Sequence, residues 1–233
     1  MKAIYKRELK AYFTSPLGYI VTLIYVLMGG VVFTILFSNG SAELSTLFSI
    51  MYTFTLFLMP VLTMRLFSDE LRMKTDQALF TAPVKIGSIV MGKYFAALTV
   101  FLLANSLTIV YQLVFSAYVS VEWLVYFDNV IGSLLLASAL ISIGLFISSL
   151  TESQMTAAMG SMSVSIVLMF IDMLGSYIDS NVLSTVVNWL SFSGRYNTFI
   201  VGIVDYANIA FFLSITAIFL FLTVRVQEKR RWS

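Results

Sequence analysis

The side chains able to do chemistry in this 233-residue chain are few, and their types narrow its function. Cys and His are both absent. That removes disulfides, Cys or His metal sites, Cys-His and Ser-His dyads, and histidine pH switching. Gly87, Gly92 and Lys93 fit the GxxxxGK pattern of a phosphate-cradling loop. Tyr94 stands where the Mg²⁺-binding hydroxyl belongs, no strand precedes the glycines, and an apolar run follows at once. The chain therefore supplies no ATPase of its own. The carboxylates worth following are Glu8, then Asp69, Glu70 and Asp76, then Asp172, Asp179 and Asp205 beside Arg195. A membrane-embedded enzyme would need chemical side chains clustered at one depth, and these groups are scattered outside the apolar runs.

The elements that position them are membrane helices. Hydrophobic residues make up 59% of the chain, charged residues 11%, and the mean hydropathy is +0.93, outside the range of a water-soluble domain. Runs long enough to cross about 30 Å of hydrocarbon at about 1.5 Å per residue lie at 17–37, 46–64, 94–119, 129–150, 155–171 and 208–226. The reading is a single membrane domain over 1–233, an all-α polytopic bundle of six spans. Of the 14 Lys and Arg, all but Arg195 fall before span one, between spans two and three, or after span six. Cationic flanks resist translocation, so that side is expected to be the cytoplasm, with both termini there. Span one is too long for a signal h-region and lacks a small-residue cleavage site, so no cleavable signal peptide is expected.

Three segments outside the spans carry information. In 1–15, helical stepping puts Lys2, Lys6, Arg7 and Lys10 on one arc, with Ile4, Tyr5, Leu9, Tyr12 and Phe13 mostly on the other. This reads as an interfacial amphipathic helix, either a plain cationic anchor or a moving element. Ser15-Pro16 breaks it before span one. Glu8 falls inside the apolar arc, where it needs a basic or amide partner. In 65–93, Ser68 is the expected N-cap of a helix from Asp69 that aligns Leu71, Thr75, Leu79 and Phe80 and stops at Pro83. It reads as a short partner-docking helix or as a solvated loop with one interfacial turn. The 172–207 stretch, too interrupted to span, reads as short helices in the outer leaflet, with Trp189, Tyr196, Phe199 and Tyr206 at the interface. A structural cap suits it better than a ligand site.

The predicted spans hold no buried Lys, Arg, Glu or Asp except Asp172, at an outer edge. Ion-coupled pumps use intramembrane ionisable groups, so a proton-driven transporter is disfavoured. Thr22, Thr34, Ser49, Thr53, Thr63, Asn105, Ser106, Gln112, Ser133, Ser138 and Ser142 are expected to make interhelical hydrogen bonds. Gly29, Gly30, Ala157, Ala158 and Gly160 would let helices approach closely.

The order of KRELKAYFTSP, then SDELRMKTDQALFTAPV after span two, then GK opening span three, resembles the ABC-2 type permeases. SSLTESQMTAA between spans four and five and WLSFSGRYNTFIVGIVDYANIAFFLS before span six extend the likeness over nearly the whole chain. It is similar above all to the compact permeases of gliding-motility and nitrous-oxide operons. The resemblance implies an ABC-2 architecture of the type V exporter kind, with 1–15 as elbow helix and a cytoplasmic coupling helix within 65–93. It puts ATPase coupling on Asp69, Glu70, Arg72, Thr75, Asp76, Leu79 and Pro83, and an elbow role on Lys6, Arg7 and Glu8. The family's acidic position falls on Glu70, its Thr on Thr75, its Leu on Leu79, its Pro on Pro83 and its Gly-Lys on Gly92 and Lys93. Two departures stand out: Lys74 where many relatives have Gly, and Ser193 where many have Pro.

The implied function is the permease subunit of an ATP-binding cassette transporter in the inner membrane, working as an exporter. Its implied partners are two ATP-binding subunits, a second permease that is identical or homologous, an accessory membrane protein and the lipid bilayer, without nucleic acid. No cofactor is expected on this chain, and ATP and Mg²⁺ would sit on the ATPase. The alternative is an ATPase-coupled scaffold or mechanotransmission complex that passes no substrate.

Overall fold

The computed structural model describes residues 1–40, 44–75, 85–118, 122–174, 189 and 191–232. Its elements are α1 (Lys2–Thr14), α2 (Pro16–Ser38), α3 (Leu44–Thr63), α4 (Ser68–Arg72), α5 (Ile86–Ser106), α6 (Thr108–Ser116), α7 (Trp123–Leu150), α8 (Gln154–Leu174), α9 (Phe192–Ile200) and α10 (Tyr206–Trp232). No strand occurs among the described residues. Six helical stretches are long and apolar enough to cross a membrane: Pro16–Ser38, Leu44–Arg72, Ile86–Ser116, Trp123–Leu150, Gln154–Ile171 and Tyr206–Arg231. Lipid offers the backbone no hydrogen-bond partners, so helices that satisfy their own N–H and C=O groups are what such runs must form.

Two of these helices begin earlier than the apolar runs alone indicate. α5 starts at Ile86 and not at residue 94, and α7 starts at Trp123 and not at 129. Lys93 and Asp128 thereby fall inside spanning helices, and both are buried, at 1% and 6% exposure. This corrects the expectation that Asp172 is the only buried charged residue of the spans. A run delimited by charge ends where the charge stands, whereas a helix continues through a charge that its neighbours satisfy. Both residues lie near helix ends, so the middle of the bundle is still uncharged.

α7 is the axis of the bundle, packed against α3, α5, α8, α9 and α10. Its buried face is built largely from small residues, including Ala137, Ser138, Ala139, Ser142 and Ser148, which lets neighbouring backbones come close. The closest approach is at Gly144, where a Cβ would lie 2.1 Å from Thr63 Oγ1 on α3. Polar rungs tie the bundle at depth. Asn105 accepts from the Tyr25 hydroxyl (3.1 Å) and donates to Ser133 Oγ (2.9 Å), and Ser138 Oγ meets both Tyr94 OH (2.7 Å) and Thr216 Oγ1 (2.9 Å). Thr34, Thr63, Ser106 and Ser142 instead bond carbonyls of their own helices.

At the end opposite the basic residues, α9 closes the bundle. Ser191 caps it by accepting from Gly194 N at 2.9 Å. Tyr196 and Phe199, expected at the membrane interface, are buried instead, with Tyr196 stacked on Tyr52 at 5.2 Å. Trp189 and Tyr206 are exposed. Ser193 sits in the first turn of α9, where the proline of relatives is also tolerated. The Asp172 side chain and Asp179 lie outside the described residues.

Candidate functional site

Arg7, Glu8, Glu70 and Lys93 gather at one end, where α1, α4 and the first turns of α5 meet. α1 reaches α5 because residue 92 is glycine: a Cβ there would meet Ile4 Cγ2 at 3.0 Å and the Tyr5 backbone nitrogen at 3.3 Å. That contact brings Glu8 over Lys93. Ile4 and Tyr12 are buried, and Tyr5 OH pairs with Thr99 Oγ1 at 3.0 Å farther along α5. The C-terminal end of α1 is clamped to the end of α3. Tyr12 donates to the Leu62 carbonyl (2.8 Å), while Arg65 donates to Ser15 Oγ (2.7 Å) and the Ala11 carbonyl (3.0 Å) and lies over the Tyr12 ring at 4.8 Å. A cation on the last carbonyls of a helix is favoured both as a cap and by the helix dipole.

Four charged side chains from three helices form one ion cluster. Lys93 Nζ lies 3.2 Å from Glu8 Oε1 and 3.0 Å from Glu70 Oε1, and donates to the Leu66 carbonyl at 2.6 Å. Arg7 Nη2 lies 2.7 Å from Glu8 Oε1 and 2.5 Å from Glu70 Oε1. Two cations thus each bridge the same two carboxylates, and the charges balance. Lys93 is the hub, because its side chain is 1% exposed against 13% and 14% for the two glutamates. Burial pushes the Glu8 carboxyl up, but Lys93 and Arg7 together outweigh it and hold Glu8 below the ordinary glutamate value. Burial pulls Arg7 down, and its bonds and attraction to Glu8 and Glu70 more than reverse that.

α4, which carries Glu70, is held from the other side by α7 and α8. The Ser148 hydroxyl accepts from the backbone N–H groups of Phe67 (3.1 Å) and Ser68 (3.2 Å) and donates to the Met64 carbonyl (3.0 Å). It caps α4 from a residue 80 positions away. Ser68, expected as N-cap, is instead the first helical residue, and its own hydroxyl turns back to the Met64 carbonyl. Gln154 Nε2 donates to Asp69 Oδ1, fixing the first turn of α4 to the start of α8. At its other end α4 stops in a Schellman turn, with Thr75 N bonded to Glu70 O (3.0 Å) and Lys74 N to Leu71 O (3.2 Å). That turn puts Lys74 at φ +55, a left-handed conformation that explains the glycine of relatives.

The expected site residues therefore divide. Arg7, Glu8, Asp69 and Glu70 are brought into one bonded assembly, whereas Lys6, Arg72 and Thr75 are exposed beside it. Asp76, Leu79 and Pro83 lie outside the described residues. The helix expected to run from Asp69 to Pro83 is already broken after Arg72 by the left-handed turn at Lys74, so Leu71 and Thr75 do not share one helical face. Lys93, Arg65, Ser148 and Gln154 were not singled out for this assembly from sequence. One signal could have found Lys93: a lone Lys in an apolar helix and a lone Glu in an apolar arc each need the charge the other carries. A cleft of about 470 Å³ opens over the cluster, lined by Arg7, Glu8, Arg65, Asp69, Glu70 and Lys93 among others. Its charges are mutually satisfied, so the arrangement suits transmission between helices rather than acid–base chemistry. No group of His, Cys, Asp and Glu able to hold a metal occurs among the described residues.

An all-α bundle with six membrane-crossing helices, an N-terminal helix laid across its basic end and a short helix ion-paired to it defines a multi-pass transport protein. The chain belongs to the ABC-2 type transporter family, whose family model matches residues 1–203. It is thus a permease component of an ABC transporter, and the part of the molecule described above is that family's membrane domain. A search of curated proteins returned no match.

Proposed function

We propose that this permease is driven by a separate pair of ATP-binding subunits that seat on α4 and the residues following it, and that it works as an exporter from the cytoplasm. The observation that carries this reading is the pairing of Glu70, on the short helix α4, with cations from two other helices, Arg7 on α1 and Lys93 on α5. A push delivered to α4 passes through Glu70 to α1 and α5, and through Asp69, Phe67 and Ser68 to α8 and α7. ATP and Mg²⁺ belong to the ATPase. A second permease, identical or homologous, completes the pathway, which switches between inward and outward states by rigid-body movement. The basic end, carrying Lys2, Lys6, Lys10, Lys229, Arg230 and Arg231, faces the cytoplasm of a cell whose inner membrane holds the protein.

The experiment is co-expression with the ATPase subunit. Glu70→Lys places a third cation against Arg7 and Lys93 and is expected to lower both the ATPase recovered with the permease and the ATP hydrolysis of the complex. Glu70→Lys combined with Lys93→Glu restores the net charge and the 70–93 pair but sets the new carboxylate against Glu8 and the new ammonium against Arg7, so it is expected to recover only part of both. If Glu70→Lys leaves recovery and hydrolysis at wild-type levels, α4 is not the coupling element.

A further inference from the structure

Between the last turn of α1 and the first turns of α2 lies an open groove of about 580 Å³, walled by Phe13, Pro16, Tyr19, Ile20, Leu23 and Leu107. Its walls are apolar almost throughout. Tyr19, Ile20, Leu23 and Leu107 are exposed, and α2 and α5 are spanning helices, so in the membrane the groove opens onto lipid. Ion pairing within the protein ends just short of it. Lys2, Lys6 and Lys10 are exposed, and among the described residues none has a carboxylate within ion-pair distance. On helical stepping these three lysines and Phe13 fall within an arc of about 80°. The cationic stripe of α1 therefore runs down to the rim of the groove at Phe13.

We propose that this groove binds one anionic glycerophospholipid. An acyl chain fills the apolar trough, and the phosphate-bearing headgroup lies against Lys6 and Lys10. Each part of the site matches one part of such a molecule, and a lysine pair without acidic neighbours selects a net negative headgroup over a zwitterionic one. Two lysines near the headgroup correspond to a preference of about tenfold or more. The same helix presents Arg7 and Glu8 to the ion cluster, so the bound lipid also holds α1 in the register that the cluster requires. The site does not depend on the ATPase reading, because it is built from α1, α2 and the α5–α6 junction alone.

The test uses the full chain purified in detergent and delipidated, titrated with phosphatidylglycerol or phosphatidylcholine. Bound lipid is counted by native mass spectrometry, and the thermal unfolding midpoint is followed. Phosphatidylglycerol is expected to bind about tenfold more tightly than phosphatidylcholine and to raise the midpoint, while inorganic phosphate alone raises nothing. K6Q/K10Q, at exposed positions, is expected to bring the two lipids to equal affinity. L23W, which fills the trough, is expected to lose the bound lipid, and K229Q/R231Q at the far terminus is expected to keep the preference. An unchanged preference in K6Q/K10Q overturns the proposal, and so does a phosphate-induced shift equal to that of the lipid. Equal loss in K229Q/R231Q overturns it too, by showing diffuse surface attraction.

Discussion

Lys93 holds two glutamates and a backbone carbonyl from inside the protein, so its removal strands negative charge. Lys93→Met leaves Glu8 and Glu70 sharing Arg7 alone, and is expected to cost about 3 kcal/mol, the range for breaking one side of a buried ion pair. Thermal or denaturant unfolding of the purified chain checks the figure. Glu8 adds a pH dependence whose sign is fixed by its lowered folded value. Once the pH drops below the ordinary glutamate range, the unfolded chain binds a proton that the folded one resists. The stability contributed by Glu8 is therefore whole at neutral pH and is lost as pH falls through the lowered value. Wild type is expected to lose thermal stability more steeply than Glu8→Gln on acidification below that range, and parallel pH curves for the two would contradict the assignment. Glu8 also shows what a sequence can disclose: its need for a basic or amide partner was legible from one charged residue in an apolar arc. Which cation answered it was not, because Lys93 is 85 positions away and is matched to Glu8 only when Gly92 lets α1 settle on α5.

At the scale of elements, the spans were the most legible, since hydrophobic length and the sidedness of the basic residues are set by the bilayer. Their ends were less so. α5 and α7 run past Lys93 and Asp128, and a window drawn by charge stops short of them. A short helix at α4 was expected from Ser68 as N-cap and the alignment of apolar residues after it, but the group that caps it was hidden. Ser148 arrives from the end of α7, and no local pattern marks a cap supplied across the fold. Ser148→Ala is expected to destabilise the chain by about 1–3 kcal/mol, the penalty for buried groups left unpaired. Faster hydrogen exchange at Phe67 and Ser68 than in wild type is the specific sign, and unchanged exchange there would contradict it. Gly144→Ala presses a methyl against Thr63 and is expected to cost about 1–3 kcal/mol by overpacking α3 against α7. Lys74→Gly keeps the left-handed turn at lower strain and is expected to match or exceed wild-type stability.

At the scale of the whole molecule, α4 is bonded to α1, α5, α7 and α8 at once, so a subunit that moves does so as a body. Among the described residues the centre of the bundle is uncharged and held by hydroxyl and amide rungs. Under the proposed function, work enters at the basic end and leaves as a change in how two permeases face each other. The absence of cysteine makes this directly measurable, because labels can be attached to the natural chain without background. Spin labels on Ala3→Cys and Arg72→Cys report the distance between α1 and α4 within one permease. A single label on Arg72→Cys reports the distance between the two permeases of an assembled complex. On adding a non-hydrolysable ATP analogue, the account predicts that the distance within a subunit holds while the distance between subunits shortens. A change within the subunit, with the distance between subunits unaltered, would mean that α4 moves on its own and that the ion cluster transmits nothing.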